Sequence, residues 1–232
     1  MALAVVPVAR FVADDTRRVV LADLQSRSGF VHVERLRGAT VLIATRRQLY
    51  TVLASIELDG VAQRVLLWTP NLLDHLPSIM RDAGVDWIVR NENADHPAVR
   101  PFSNQLVPYR FDRPGPPVEP DRPLDTEWVL FTSGTTGQPK MAVHTVSSLI
   151  GPLDDGLAVS TGAVWSTFYD IRRYGGLTIL LRALLGGGSM VLSSPPCKPI
   201  GDFLIRAAAS GVTISRARRR IGAKPSCVQK QP

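Results

Sequence analysis

From Thr40 onward the apolar positions switch between two periods. Thr40 to Thr45 is an unbroken, mostly apolar run, the pattern of a strand buried on both faces, whereas Arg46 to Leu58 spaces its apolar residues as a helix does. Arg64 to Trp68 reads as a second strand ending at Thr69-Pro70. Leu72 to Ala83 suits a helix closed by Gly84, and Asp86 to Arg90 is strand again. Such strand–helix–strand units bury a mostly parallel sheet under helices, so the expected class is α/β, with mostly parallel sheets flanked by helices.

Residues 97 to 123 break this rhythm and hold eight of the chain's 18 prolines, which predicts a semi-rigid connector and neither a helix nor a central strand. Beyond it the pattern predicts a helix near Val146 to Leu153, another around Gly176 to Leu185, and a strand from Ser189 to Leu192. Lys198-Pro199 introduces a helix running to about Ser210, with Phe203, Leu204 and Ala207 on one face, and Gly211 to Ser215 returns to strand. No internal repeat stands out.

The chemistry concentrates in Thr132-Ser133-Gly134-Thr135-Thr136-Gly137-Gln138-Pro139-Lys140, which follows the strand-like Trp128-Val129-Leu130-Phe131. Glycines let successive backbone N–H groups face an anion. The hydroxyls of Thr132, Ser133, Thr135 and Thr136 can donate to phosphate oxygens or approach a magnesium ion, and Lys140 adds a compact positive charge. The run is not a Walker loop. No glycine precedes Lys140, Met141 follows it, and Pro139 disfavours helix at Gln138. Met141 to Thr145 reads as a second strand, so a strand–turn–strand cradle for nucleotide phosphates is expected.

Ser133 to Lys140 resembles, without a substitution, the Ser-Gly-Thr-Thr-Gly-x-Pro-Lys signature of the adenylate-forming superfamily: acyl-CoA synthetases, peptide-synthetase adenylation domains and luciferases. Thr145 stands where that family has the threonine of a Thr-His pair. The resemblance continues through Tyr174-Gly175-Gly176-Leu177, Gly186-Gly187-Gly188, Ser189 to Leu192 and Gly211 to Ser215. It departs at Met141, where the family has glycine, and at Val146, where it has histidine. The resemblance implies the N-terminal part of the ligase fold over residues 1–215, and an ancestral activity that activates a carboxylic acid with ATP and Mg2+ to an acyl-adenylate, with thioester formation as a possible next step. It assigns the ATP phosphates to Thr132, Ser133, Gly134, Thr135, Thr136, Gly137 and Lys140. It assigns no catalytic residue and no metal ligand in this chain.

Other family segments have no counterpart here: the aromatic-Gly-x-Thr-Glu segment, the aspartate that grips the ribose, the hinge arginine and the lid lysine. Tyr174-Gly175-Gly176-Leu177-Thr178-Ile179 is one residue too long for the first and ends on isoleucine, so it is read as a turn preceding a helix. The resemblance therefore implies a truncated ligase that binds ATP weakly and is inactive alone. Two alternatives are a split ligase completed by a second chain, and a non-catalytic nucleotide- or nucleic-acid-binding module.

Charge bears on the last alternative. The net charge is +7, but residues 216–232 hold six basic residues and no acid, leaving 21 basic and 20 acidic residues over the first 215. The body is near neutral, and the tail has no aromatic residue for base stacking, so a nucleic-acid partner is not expected. One permitted codon choice for the tail, read one frame over, gives Gly-Thr-Pro-Ser-His-Trp-Arg-Lys-Ala-Leu-Met-Arg-Pro-Glu-Ala-Ala, a helix-forming peptide resembling what family members carry at this point. The tail is accordingly expected to be a frameshifted, disordered end. Cys197 and Cys227 are too few for a disulfide framework. The apolar opening is short and broken by Pro7, and no segment is long enough to span a bilayer, so no membrane partner and a cytoplasmic location are expected. The four histidines lack metal-ligand spacing, and Arg172-Arg173 is expected to be a solvated pair.

Overall fold

The computed structural model describes residues 9–91, 99–111, 123–132, 138–151, 162–193 and 200–216. The strands are β1 (Phe11–Ala13), β2 (Arg18–Val20), β3 (Thr40–Ile43), β4 (Arg64–Leu67), β5 (Trp87–Arg90), β6 (Leu106–Pro108), β7 (Glu127–Thr132), β8 (Lys140–His144), β9 (Val164–Thr167), β10 (Ser189–Leu192) and β11 (Ile214–Arg216). The helices are α1 (Gln48–Leu58), α2 (Leu76–Asp82), α3 (Val146–Ile150), α4 (Tyr174–Leu185) and α5 (Ile200–Ala209). Two sheets form, in the orders β11-β9-β10-β1-β2 and β6-β5-β3-β4-β7-β8. All pairings are parallel except the hairpins β1–β2 and β7–β8.

Strand periodicity sorts the apolar side chains into three cores. Val41, Ile43, Val65, Leu67, Trp128, Leu130, Met190 and Leu192 face a central core with Leu49, Leu53 and Leu58 of α1 and Leu177, Leu180 and Leu181 of α4. Their alternates Leu42, Leu66, Val129 and Phe131 face α2 through Leu76, Ile79 and Met80. Phe11, Ala13 and Val191 face Phe203 of α5. The layers therefore run helix, sheet, helices, sheet, helix. Strands covered on both faces need an unbroken apolar sequence, which is why Thr40 to Thr45 lacks the alternation of a half-exposed strand. Each fully buried leucine or valine contributes about 1.5–3 kcal/mol relative to exposure.

Several expected elements take a different form. The Leu72–Ala83 helix is a 3-10 turn over Pro70–His75 followed by α2, and Gly84 closes it with φ of +60°. The described parts of the proline-rich stretch are more than a connector. Arg100–Gln105 is a 3-10 turn, β6 is an edge strand beside β5, and Tyr109 and Phe111 are buried in the central core. Leu204 is exposed, while its expected companions Phe203 and Ala207 are buried. The short strands β1, β2 and β9 are new relative to the sequence pattern. β11 runs to Arg216, one residue past the expected boundary, and residues 217–232 lie outside the described set.

Tyr109 anchors a polar knot within the apolar interior. Its hydroxyl donates to Glu57 Oε1 at 2.5 Å, and the Glu57 carboxylate also accepts from Ser28 Oγ at 2.5 Å and Gly29 N at 3.0 Å. A Cβ on Gly29 would lie 2.3 Å from the Tyr109 ring, so no side chain fits there. Burial raises the Glu57 carboxyl above its ordinary value, outweighing the three donors. In the window from the ordinary carboxyl value to the raised one, the native chain binds more protons than the unfolded chain, so this group makes stability fall as pH rises.

Two outcomes follow. Gly29→Ala is expected to cost about 2–3 kcal/mol in urea unfolding, by displacing a buried ring. Glu57→Gln removes the titration, so its stability should gain on the wild type as pH is raised from about 4. A difference between the two proteins that stays constant with pH would contradict this account of Glu57.

Candidate functional site

The hairpin β7–β8 carries the hydroxyl- and glycine-rich run. Glu127 to Phe131 commit β7 to the sheet, and Thr132 is its last, exposed residue. Lys140 opens β8 and pairs with Thr132 in the antiparallel register, with Thr132 Oγ1 3.4 Å from the Lys140 carbonyl oxygen. Pro139 and Gln138 precede it in irregular backbone, as proline's missing N–H requires. The two expected strands thus form and pair, and β8, not a helix, begins at the lysine. Ser133, Gly134, Thr135, Thr136 and Gly137 lie outside the described residues, so only Thr132 and Lys140 of the expected phosphate ligands are placed. They stand side by side at the loop end of the hairpin.

That end is a favourable place for a ligand. β7 runs parallel to β4, β3 and β5, so the loop leaves from the carboxyl edge of the sheet, where ligands of open α/β sheets bind. β8 is the outermost strand, with Lys140, Met141 and Val143 exposed. Met141, the residue that departs from the resemblance, lies opposite Phe131 in the ladder. At the far end of β8, the His144 ring meets that of Tyr174 at 5.5 Å. Thr145 caps α3 by accepting from Ser148 N at 3.2 Å, while the Ser148 hydroxyl lies 3.0 Å from Thr145 N. Val146 is the first residue of α3.

A polar seam past β3 ties the carboxyl edges of the two sheets together. Arg47 donates from one nitrogen to Asp14 at 3.1 Å, Asp15 at 2.9 Å and Thr16 at 2.9 Å, all just beyond β1. Burial alone would lower the Arg47 pKa, but its bonds and charge contacts with the two aspartates hold it above the ordinary value. Gln48 donates to the Ser193 carbonyl beyond β10 and accepts from Ile171 N at 2.8 Å. Arg172 donates to both oxygens of Asp170, at 2.8 and 2.7 Å, and to the Thr45 carbonyl at 3.2 Å.

Arg172 is therefore no solvated residue. It is 6 % exposed and committed to the fold, whereas Arg173 is exposed and reaches Asn71 Oδ1 at 3.3 Å. Sequence reading missed this role because its partner Asp170 and the Thr45 carbonyl meet only in the folded chain. Tyr174-Gly175-Gly176 likewise corrects the expectation of a turn before a helix, since it forms the first turn of α4 itself. A Cβ on Gly176 would lie 2.2 Å from the Asp170 carbonyl oxygen, so glycine lets α4 start hard against the turn that Arg172 braces.

Arg172→Leu is expected to lower stability by about 3 kcal/mol, because Asp170 and the Thr45 carbonyl lose their partner in a poorly hydrated seam. Urea unfolding checks it, and a loss below roughly 1 kcal/mol would show that the seam carries little of the fold.

Comparison with known proteins agrees with this architecture. A family model described as "AMP-binding enzyme" matches residues 2–215. The chain is 31% identical over 99 residues to the nonribosomal peptide synthetase gloA of Glarea lozoyensis, which is 40% of this chain and 1% of that protein. O-succinylbenzoate coenzyme A synthetase from Bacillus subtilis, in complex with AMP, superposes with a TM-score of 0.72 at 18% identity, over 90% of this chain and 58% of that one. The same enzyme has also been solved with ATP and magnesium, giving a TM-score of 0.66 at 16% identity over 89% of this chain and 59% of that one. A malonyl-CoA ligase complex gives 0.66 at 24% identity, over 90% of this chain and 46% of that one. The chain spans about half the length of these solved structures. With the two-sheet fold, the hairpin at its carboxyl edge and the match over residues 2–215, the chain belongs to the AMP-binding enzyme family.

Proposed function

We propose that this chain is the triphosphate-binding part of an ATP-dependent acid-activating ligase and is inactive by itself. In the reaction a carboxylate attacks the α-phosphate of ATP, forming an acyl-adenylate and releasing pyrophosphate. The supporting observation is the placement of Thr132 and Lys140 at the mouth of a hairpin on the carboxyl edge of a parallel sheet. Lys140 would neutralise charge on the β- and γ-phosphates, and the hydroxyls and N–H groups of residues 132–137 would orient them. Among the described residues no three His, Cys, Asp or Glu side chains converge on a metal position. A magnesium ion would be held by phosphate oxygens together with the loop hydroxyls, since this cation usually binds through substrate phosphates.

Alignment of the two reactants is the larger part of such catalysis, and it depends on groups that this sequence does not carry. The aspartate for the ribose, the hinge arginine and the lid lysine have no counterpart among the 232 residues. ATP binding should be weak for the same reason, with a Kd near about 1 mM. A second polypeptide bearing the later family segments is the partner that would complete the site, and a small carboxylic acid is the co-substrate class. Nothing in the near-neutral body favours a nucleic-acid partner. Among the described residues no helix is long and apolar enough to cross a membrane.

Carboxylate-dependent ATP–pyrophosphate exchange tests this directly. The chain alone should give none with any acid, and a mixture with a polypeptide carrying the later segments should restore it. Lys140→Ala should then cut the restored exchange by about 10²-fold with the fold unchanged by circular dichroism. Exchange by the isolated chain would overturn the proposal, as would a restored activity indifferent to Lys140.

A further inference from the structure

A cavity of about 510 Å³ lies at the other end of β7 from the hairpin loop. Trp128, in its wall, is the second residue of β7 and Thr132 the last, so a strand rise of about 3.3 Å per residue separates the two by roughly 13 Å. The cavity thus opens at the amino-terminal edge of the parallel strands, away from the phosphate cradle. Leu21, Leu24, Ile56, Val146, Leu181 and Leu184 supply its apolar wall, from the turn after β2, α1, α3 and α4. Its size falls in the range of small-molecule sites, about 300–1,000 Å³.

Two carboxylates are set into that wall, Glu57 and Asp59. Glu57 already accepts from Ser28, Gly29 and Tyr109, all neutral donors. Asp59 lies more exposed and accepts from the Trp128 indole N–H at 3.1 Å, through one of its two oxygens. Neither carboxylate forms an ion pair among the described residues. Burial raises the pKa of both groups, and the nearby Asp125 raises Asp59 further. Arg27 contributes to the lining as an exposed side chain. Glu57 is half-buried and already saturated by its three donors, whereas Asp59 stands exposed at the rim with one oxygen left over, so a ligand's cation would meet its counter-charge at the mouth of the cavity. The apolar wall and the second oxygen of Asp59 together fit a guest with a hydrocarbon or aromatic body and a single positive head.

We propose that this cavity is a binding site for a small amphipathic amine, with the body against Leu181, Leu184 and Val146 and the ammonium against the free oxygen of Asp59. Such a site is distinct from the phosphate cradle. It also differs from any pocket for the carboxylic acid co-substrate, whose charge has the opposite sign. Its occupation therefore neither requires nor excludes the acid-activating reading.

Calorimetric titration of the full chain with 4-phenylbutylamine, 4-phenylbutanol and 4-phenylbutanoate tests the proposal. The amine is expected to bind about tenfold more tightly than the alcohol, and the carboxylate most weakly. Asp59→Asn should bring the amine down to the alcohol's affinity and leave the alcohol unchanged. Leu184→Phe, which fills the chamber from a half-buried position, should weaken both, and saturating pyrophosphate should alter neither. Should Asp59→Asn fail to fold, amide shifts of the wild type decide: changes at Val146, Leu184 and the Trp128 indole on adding the amine support the site. Carboxylate binding as tight as the amine, an amine affinity indifferent to Asp59→Asn, shifts confined elsewhere, or no binding by any of the three would overturn it.

Discussion

Everything at the carboxyl edge of this molecule depends on the seam from Thr45 to Gln48. Three of the four residues from Thr45 to Gln48, all but the exposed Arg46, receive or send polar contacts to the ends of β1 and β10 and to the segment joining β9 to α4. Apolar packing alone holds α1 and α4 between the sheets, but it is non-directional and would tolerate sliding. The seam supplies direction. Arg47 grips the turn after β1, Gln48 bridges the segments after β9 and β10, and Arg172 returns the contact from the other side. These groups are partly or wholly buried, so each must keep its partner or bear the cost of an unpaired polar group.

The consequence for function is positional. β7 lies beside β4 in the same sheet, so its register fixes where the cradle begins. The antiparallel return of β8 then puts Lys140 next to Thr132. A parallel sheet brings its strand ends to one edge, and the seam brings the second sheet's ends to the same side. In the proposed reading the long apolar strands provide the rigidity and the loop the chemistry, the usual division in α/β enzymes.

Much of this was legible in the residues. Val41 to Ile43 and Val65 to Leu67 could only be strands buried on both faces, and Pro139 together with the apolar run after Lys140 excluded a Walker helix. Two short strands were not legible: Phe11–Ala13 spans too few positions for a period to emerge, and Val164–Thr167 ends in the polar Ser166 and Thr167, so no apolar run marks it. Tyr109 and Phe111 hid among prolines, where composition argued for a connector although two aromatic rings were available to anchor the segment. Arg172 was unreadable for another reason. Its value comes from Thr45, 127 residues away in sequence, and no local pattern announces such a partner.

The central claim is that the hairpin between β7 and β8 receives the phosphates of a nucleotide. Amide chemical-shift mapping of the full chain with Mg·ATP measures it most directly. The account predicts changes concentrated at Thr132, Gln138 and Lys140 and in the intervening loop, largely lost in Lys140→Ala. Shifts absent from the hairpin, or unaltered by that substitution, would contradict it.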